Sequence, residues 1–251
     1  MADRAYIAAA AILAAVASTT MTHAAEIKLI ASNAVKEACH DLLPAFERAS
    51  GHKVAAVYGG TPDITKRIDG GEVVDLVVLS AGSIDGLIKR GRLAEGSRVD
   101  FVRSAIGVAI RPGAPKPDIS SGDAVKASLI KASSIVISSG PSSVYLLGLF
   151  ERMGIADALK PKIKQLGPGA SVGEALARGE GDLGFTQVSE FVTIKGIDYL
   201  GPLPSDIQNV TVFSLGRHAS APSAEAARAL VKFLTSPDAA PVIRHSGLEP
   251  G

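Results

Sequence analysis

Residues 54–63 read Val54-Ala55-Ala56-Val57-Tyr58-Gly59-Gly60-Thr61-Pro62-Asp63. A short run with β-branched and aromatic residues makes a strand, and two glycines break it. Thr, Pro and an acid then open a helix, with Thr61 as N-cap, Pro62 as first helical residue and Asp63 in the first turn. This junction decides the fold because it recurs. Ala31-Ser32-Asn33, Gly140-Pro141-Ser142-Ser143 and Gly169-Ala170-Ser171-Val172 are junctions of the same kind. A helix start leaves backbone N–H groups unpaired and carries roughly half a positive charge. Four such ends aimed at one point would hold an anion without a lysine or an arginine.

Outward from these junctions, strand and helix alternate. The first unit predicts strands at 27–31, 54–58 and 76–80 and helices at 34–50, 62–69 and 84–89, closed by Gly51, Gly70-Gly71 and Gly91. The second predicts strands at 104–111, 135–138, 162–166 and 183–186, with helices at 122–131, 144–153 and 172–177. A strand at 210–215, a helix at 224–234 and a last turn at 238–244 close the chain. The alternation implies an α/β fold of mostly parallel sheets with helices on both faces. We read two lobes joined by two hinge crossings, at 104–111 and 210–215. Lobe 1 is then 25–104 plus 211–251, and lobe 2 is 105–210.

Residues 1–24 read as a secretory signal peptide: a weakly basic start, an alanine-rich apolar run, and Thr22-His23-Ala24 before the cut. No membrane insertion is expected after cleavage. The remaining chain has a near-zero charge balance (+1 for the full chain), no tryptophan and few other aromatics. This excludes the basic surface and stacking platforms of a nucleic-acid partner. The lone Cys39 lies at helical spacing with Val35, Leu42, Leu43 and Phe46, the pattern of a buried structural residue. Five scattered histidines show no metal-ligand spacing, and no dinucleotide or Walker-type glycine fingerprint is present, so neither metal nor cofactor is expected. Glu72 and Asp75, flanking Val73-Val74, are expected to face solvent or to cap the next strand.

All four junctions fall at carboxyl ends of strands, two in each lobe, the edge at which open α/β sheets bind ligands. Thr61 can cap its own helix or face a ligand, and Gly59-Gly60 lets backbone approach that ligand closely. Ser142 and Ser143 share the ambiguity: one serine suffices as a cap, which leaves the other hydroxyl for a ligand. Gly169-Ala170-Ser171-Val172-Gly173 matches a nucleophile elbow. The half-polar stretch Lys162-Ile163-Lys164-Gln165-Leu166 before it is not the buried strand an elbow needs. Nothing marks Asp198, Asp206, His218 or His245 as triad partners. Ser171 reads better as a helix cap beside a ligand.

Ile27-Lys28-Leu29-Ile30-Ala31-Ser32-Asn33, Arg67-Ile68-Asp69-Gly70-Gly71, Val74-Asp75-Leu76-Val77-Val78 and Gly140-Pro141-Ser142-Ser143-Val144-Tyr145 resemble the molybdate-binding-protein family of periplasmic solute-binding proteins. The resemblance covers essentially the whole chain after residue 24. It implies a two-lobed periplasmic binding protein fold of type II that closes over an oxyanion. Matched by position, ligand contacts fall near Asn33 and at Thr61, Ser142, Val172 and Gln187. The full candidate set is therefore Ser32, Asn33, Gly60, Thr61, Ser142, Ser143, Ser171, Val172 and Gln187. The family usually has serine in the first turn, serine at the Thr61 position and tyrosine at the Gln187 position. An amide that donates and accepts suits a carboxylate at least as well as a tetrahedral oxyanion.

Pro115-Lys116-Pro117-Asp118-Ile119-Ser120, Gly184-Phe185-Thr186-Gln187-Val188-Ser189-Glu190, residues 196–204 and the ending Ser246-Gly247-Leu248-Glu249-Pro250 resemble a subgroup that includes periplasmic aconitate isomerase. The expected function is capture of a small anion, molybdate-like or an organic carboxylate, for an ABC-type importer, by a receptor expected to be a monomer without a catalytic residue. The alternative is isomerisation of a tricarboxylic acid, which needs a general acid and base. Glu190 and Lys66 are the candidates, although each reads more simply as a solvated charge.

Overall fold

The computed structural model describes residues 24–251, so the expected signal peptide, up to residue 23, lies outside the described residues. The first unit runs β1 (Glu26–Ser32), α1 (Lys36–Ser50), β2 (Lys53–Gly59), α2 (Thr61–Asp69), β3 (Leu76–Ser80) and α3 (Ala81–Lys89). Alternation along β1 sorts its side chains. Ile27, Leu29 and Ala31 pack with Val35, Leu42 and Phe46 of the α1 side, whereas Ile30 packs with Ile64, Ile68 and Ile84 of α2 and α3. A strand with period-2 side chains and helices on both faces buries both rows. Each fully buried Leu, Ile or Phe contributes roughly 1.5–3 kcal/mol. Gly51, at φ 75°, closes α1 in a left-handed turn suited to glycine.

The chain then enters β4 (Val99–Ile110), α4 (Gly122–Lys131), β5 (Ile135–Ile137), α5 (Pro141–Arg152), α6 (Ala156–Leu159), β6 (Ile163–Gln165), α7 (Val172–Ala177), β7 (Leu183–Gln187) and β8 (Asp198–Pro202). It returns through β9 (Val210–Arg217), α8 (Ala224–Leu234), α9 (Ala240–His245) and β10 (Glu249–Pro250). Strand order is β2-β1-β3-β9-β4-β7-β5-β6, with β8 and β10 pairing β4 off this path. β1 is parallel to β2 and β3, and β5 is parallel to β6 and β7. The antiparallel partners sit in the middle. β4 pairs β9 as far as Ala105, then pairs β7 from Ile106 onward. One strand thus crosses between the two lobes. At that crossing the Ile106 N–H donates to Gln208 Oε1 (2.8 Å), while Gln208 Nε2 donates to the Ile106 and Leu203 carbonyls.

Three details differ from the sequence reading or sharpen it. β8 forms where only a passing loop is expected. It lies at an edge and pairs β4 across a register shift between Val108 and Ala109, so it tolerates Pro202 and shows no clean alternation. Asp75 neither faces solvent nor caps a strand: it is 1% exposed and accepts hydrogen bonds from the Lys28 N–H (2.8 Å) and the Ser223 N–H (2.6 Å). It clamps β1 and the approach to α8 onto β3. Glu72 instead pairs with Arg67 at the surface. Cys39 is buried against Tyr58, and burial pushes its thiol up to about 12.

Removing the Asp75 clamp leaves two backbone donors unpaired, each costing about 1–3 kcal/mol. Asp75→Ala is expected to lower unfolding stability by about 2–4 kcal/mol in a urea titration.

Candidate functional site

All four junctions open onto one narrow cleft. Ser32 ends β1 and caps the 3₁₀ turn Asn33–Val35, accepting from the Ala34 N–H at 3.3 Å. Gly60, not Thr61, is the N-cap of α2, so Thr61 occupies the first helical position. Its hydroxyl is thereby released from capping. Among the described residues Thr61 Oγ1 is the one buried side-chain polar atom without a hydrogen-bond partner. Gly140 likewise caps α5, with Pro141 next. Ser138 Oγ lies 3.2 Å from Ser142 Oγ and 3.1 Å from Ser143 Oγ.

Of the expected site residues, the cleft gathers Ser32, Asn33, Gly60, Thr61, Ser142 and Gln187. Ser143, Ser171 and Val172 do not line it. Ser143 points back under the helix and donates to the Ser138 carbonyl, so its hydroxyl is not free for a ligand. Ser171 caps α7, accepting from the Glu174 N–H (3.2 Å), and Val172 packs in the core with Ala175 and Leu176. The fourth junction lines the cleft through Gly169 and Ala170 instead of Ser171 and Val172.

Gln187 is 1% exposed, and its amide is committed to the hinge strands. With its nitrogen towards β4, it donates to Ser104 Oγ (3.0 Å), and its oxygen accepts from Thr211 Oγ1 (3.2 Å). The expectation that this amide recognises a carboxylate gives way to a role in joining β7, β4 and β9.

Contacts cross the cleft. Asn33 Nδ2 donates to the Gly169 carbonyl (3.2 Å), and Ser189 Oγ donates to the Ala34 carbonyl (2.7 Å). A Cβ on Gly60 would meet Gly169 N at 3.0 Å and Pro168 Cα at 3.2 Å, so only glycine allows this approach without displacing its neighbours.

Glu190 is the titratable residue among those lining the cleft; no lysine, arginine or histidine joins it there. It is half-buried in a 3₁₀ turn, Val188–Glu190, directly after β7. Its Oε2 accepts from the fully buried Thr186 hydroxyl at 3.0 Å, which leaves Oε1 without a protein hydrogen-bond partner. Burial pushes its carboxyl up to about 7, and the Thr186 hydrogen bond pulls weakly the other way. The reading of Glu190 as a solvated charge is therefore overturned. Lys66 is exposed on α2 and does not line the cleft.

A family model described as bacterial extracellular solute-binding protein matches residues 27–249. The chain belongs to the bacterial extracellular solute-binding proteins. This solute-binding protein is 39% identical over 250 residues to aconitate isomerase from Pseudomonas sp, spanning 97% of this chain and 93% of that one. It is 22% identical over 252 residues to the molybdate-binding protein ModA of Escherichia coli (strain K12), spanning 96% and 95%. The periplasmic molybdate-binding protein of Azotobacter vinelandii superposes with a TM-score of 0.74 at 18% identity, spanning 90% of this chain and 99% of that one. That likeness establishes the two-lobed fold.

Sequence reasoning missed Ser138, Ser139 and Phe213 in the cleft of this solute-binding protein. Ser138 was findable, because it follows β5 at the carboxyl edge where the other contacts lie. Phe213 carried no such signal. Among the described residues no group of three His, Cys, Asp or Glu could hold a metal ion. No described helix is long and apolar enough to cross a membrane.

A carboxyl whose folded value is raised contributes stability fully below its ordinary value of 4.5, and that contribution is lost as pH rises through about 7. Thermal melting of Glu190→Gln against the wild type checks this: the wild type is expected to lose a few degrees relative to the variant between these pH values.

Proposed function

We propose that this solute-binding protein encloses a small tricarboxylate of the aconitate type between its lobes, 25–104 with 211–251 and 105–210, and isomerises it in the periplasm. One observation carries the reading: a single titratable carboxyl, Glu190, stands in a wall otherwise made of neutral groups. The neutral part suits any anion. Helix starts at Thr61 and Pro141, the Thr61 hydroxyl and the serines around Ser138 hold negative charge through dipoles and N–H groups. Glu190 narrows the choice. A permanently charged inorganic dianion beside a carboxyl that ionises near neutral pH meets repulsion. An organic acid can share a proton with it, and a shift of a carbon–carbon double bond requires such a group. The full-length similarity to an aconitate isomerase points the same way.

Delivery of the captured anion to an ABC-type permease is the second reading. It is favoured by the contacts from Asn33 to Gly169 and from Ser189 to Ala34, which hold a hinged cleft shut.

Purified protein is expected to interconvert cis- and trans-aconitate, followed by chromatography, and aconitate is expected to raise its melting temperature by mass action more than molybdate or sulfate does. Thr61→Ala should weaken aconitate binding by about 1–3 kcal/mol, read by calorimetry. Stabilisation by molybdate alone, with no turnover, would refute the proposal.

A further inference from the structure

We infer that Glu190 is the catalytic acid–base residue of this cleft and that Thr186 is its positioning residue. The inference rests on the reading that the cleft takes an aconitate-type ligand. It stands first on placement. β7 is fully buried from Leu183 to Gln187, so Thr186 cannot shift without disturbing the sheet. The 3₁₀ turn that follows brings Glu190 back over β7, four residues on, where Thr186 Oγ1 holds Oε2 at 3.0 Å. The turn is itself pinned to the opposite lobe, because Ser189 Oγ donates to the Ala34 carbonyl. Glu190 is therefore fixed in the wall when the lobes meet, with one carboxylate oxygen on Thr186 and the other without a protein hydrogen-bond partner.

Chemistry supplies the second support. In a CH₂–C=CH unit flanked by carboxylates, ionised Glu190 takes a proton from the methylene carbon. The C–H electron pair becomes the new π bond, and the old π pair moves to the far carbon. That carbon takes a proton from the carboxyl of Glu190, which is ionised again. Atoms and electrons balance, and no oxidant, reductant or co-reactant takes part. Negative charge that develops on the ligand's carboxylates meets the donors that already hold them, including the Thr61 hydroxyl. A group that gives and takes a proton works best when both forms are populated at the working pH, and the raised carboxyl of Glu190 meets that condition.

The test uses the purified protein, cis- and trans-aconitate, and two substitutions. Glu190→Gln keeps the side chain's shape and is expected to cut kcat by about 100-fold or more, while the aconitate-induced rise in melting temperature persists. Thr186→Val is expected to lower kcat with little change in KM. It should also move the acidic limb of the kcat/KM profile to higher pH, because the lost hydrogen bond stabilises the ionised carboxylate; a merely structural role would leave that limb in place. Turnover by Glu190→Gln within a few-fold of wild type overturns the assignment and leaves the function standing. An unmoved pH profile in Thr186→Val overturns it too, and that measurement decides the matter if Glu190→Gln fails to fold. A wild type that binds aconitate but does not isomerise it overturns the function and the assignment together.

Discussion

β4 hydrogen-bonds to β9 as far as Ala105 and to β7 from Ile106, so a single backbone carries both lobes. Every distance across the cleft depends on that strand. Within either paired segment the strand cannot bend without losing ladder bonds. Motion must therefore concentrate at the switch, where Gln208 satisfies Ile106 and Gln187 ties Ser104 to Thr211. These amides replace ladder bonds where the partner strand changes. They also explain why Gln187 reaches the cleft wall without being available to a ligand.

With the strand edges fixed, the electrostatics of the cleft follow from chain direction. Parallel strands present their carboxyl ends together, and each following helix starts there with unpaired N–H groups. Two lobes built this way face each other with like partial charge. An anion between them is stabilised from both sides, with neither the desolvation cost nor the flexibility of a buried lysine. Such a wall holds any small anion of the right size. Discrimination then falls to the exceptions in it, and Glu190 is the largest exception.

Relatives matched along the whole chain are named for molybdate binding and for aconitate isomerisation. A cleft able to enclose an anion needs little alteration to act on one. A carboxyl brought into the wall on the turn after β7 is such an alteration. Function here is separable from fold, and it resides in a few side chains at a shared sheet edge.

Alternating apolar runs and glycine stops, from Ile27 to Gly91, determined the strands, the helices and their order, because local periodicity and turn chemistry are properties of neighbouring residues. The junctions at Ser32-Asn33, Gly60-Thr61 and Ser142 were legible for the same reason. Tertiary structure alone decided what each polar side chain does. Thr61 looked like a cap until Gly60 took that position; Asp75 looked solvated until Lys28 and Ser223 closed over it; Ser143 and Gln187 looked free until Ser138, Ser104 and Thr211 engaged them. Glu190 looked like a surface charge until Thr186 engaged it and the facing lobe met it across the cleft. Burial and hydrogen-bond partners come from residues far along the chain, 148 positions apart between Asp75 and Ser223, and no local pattern encodes them.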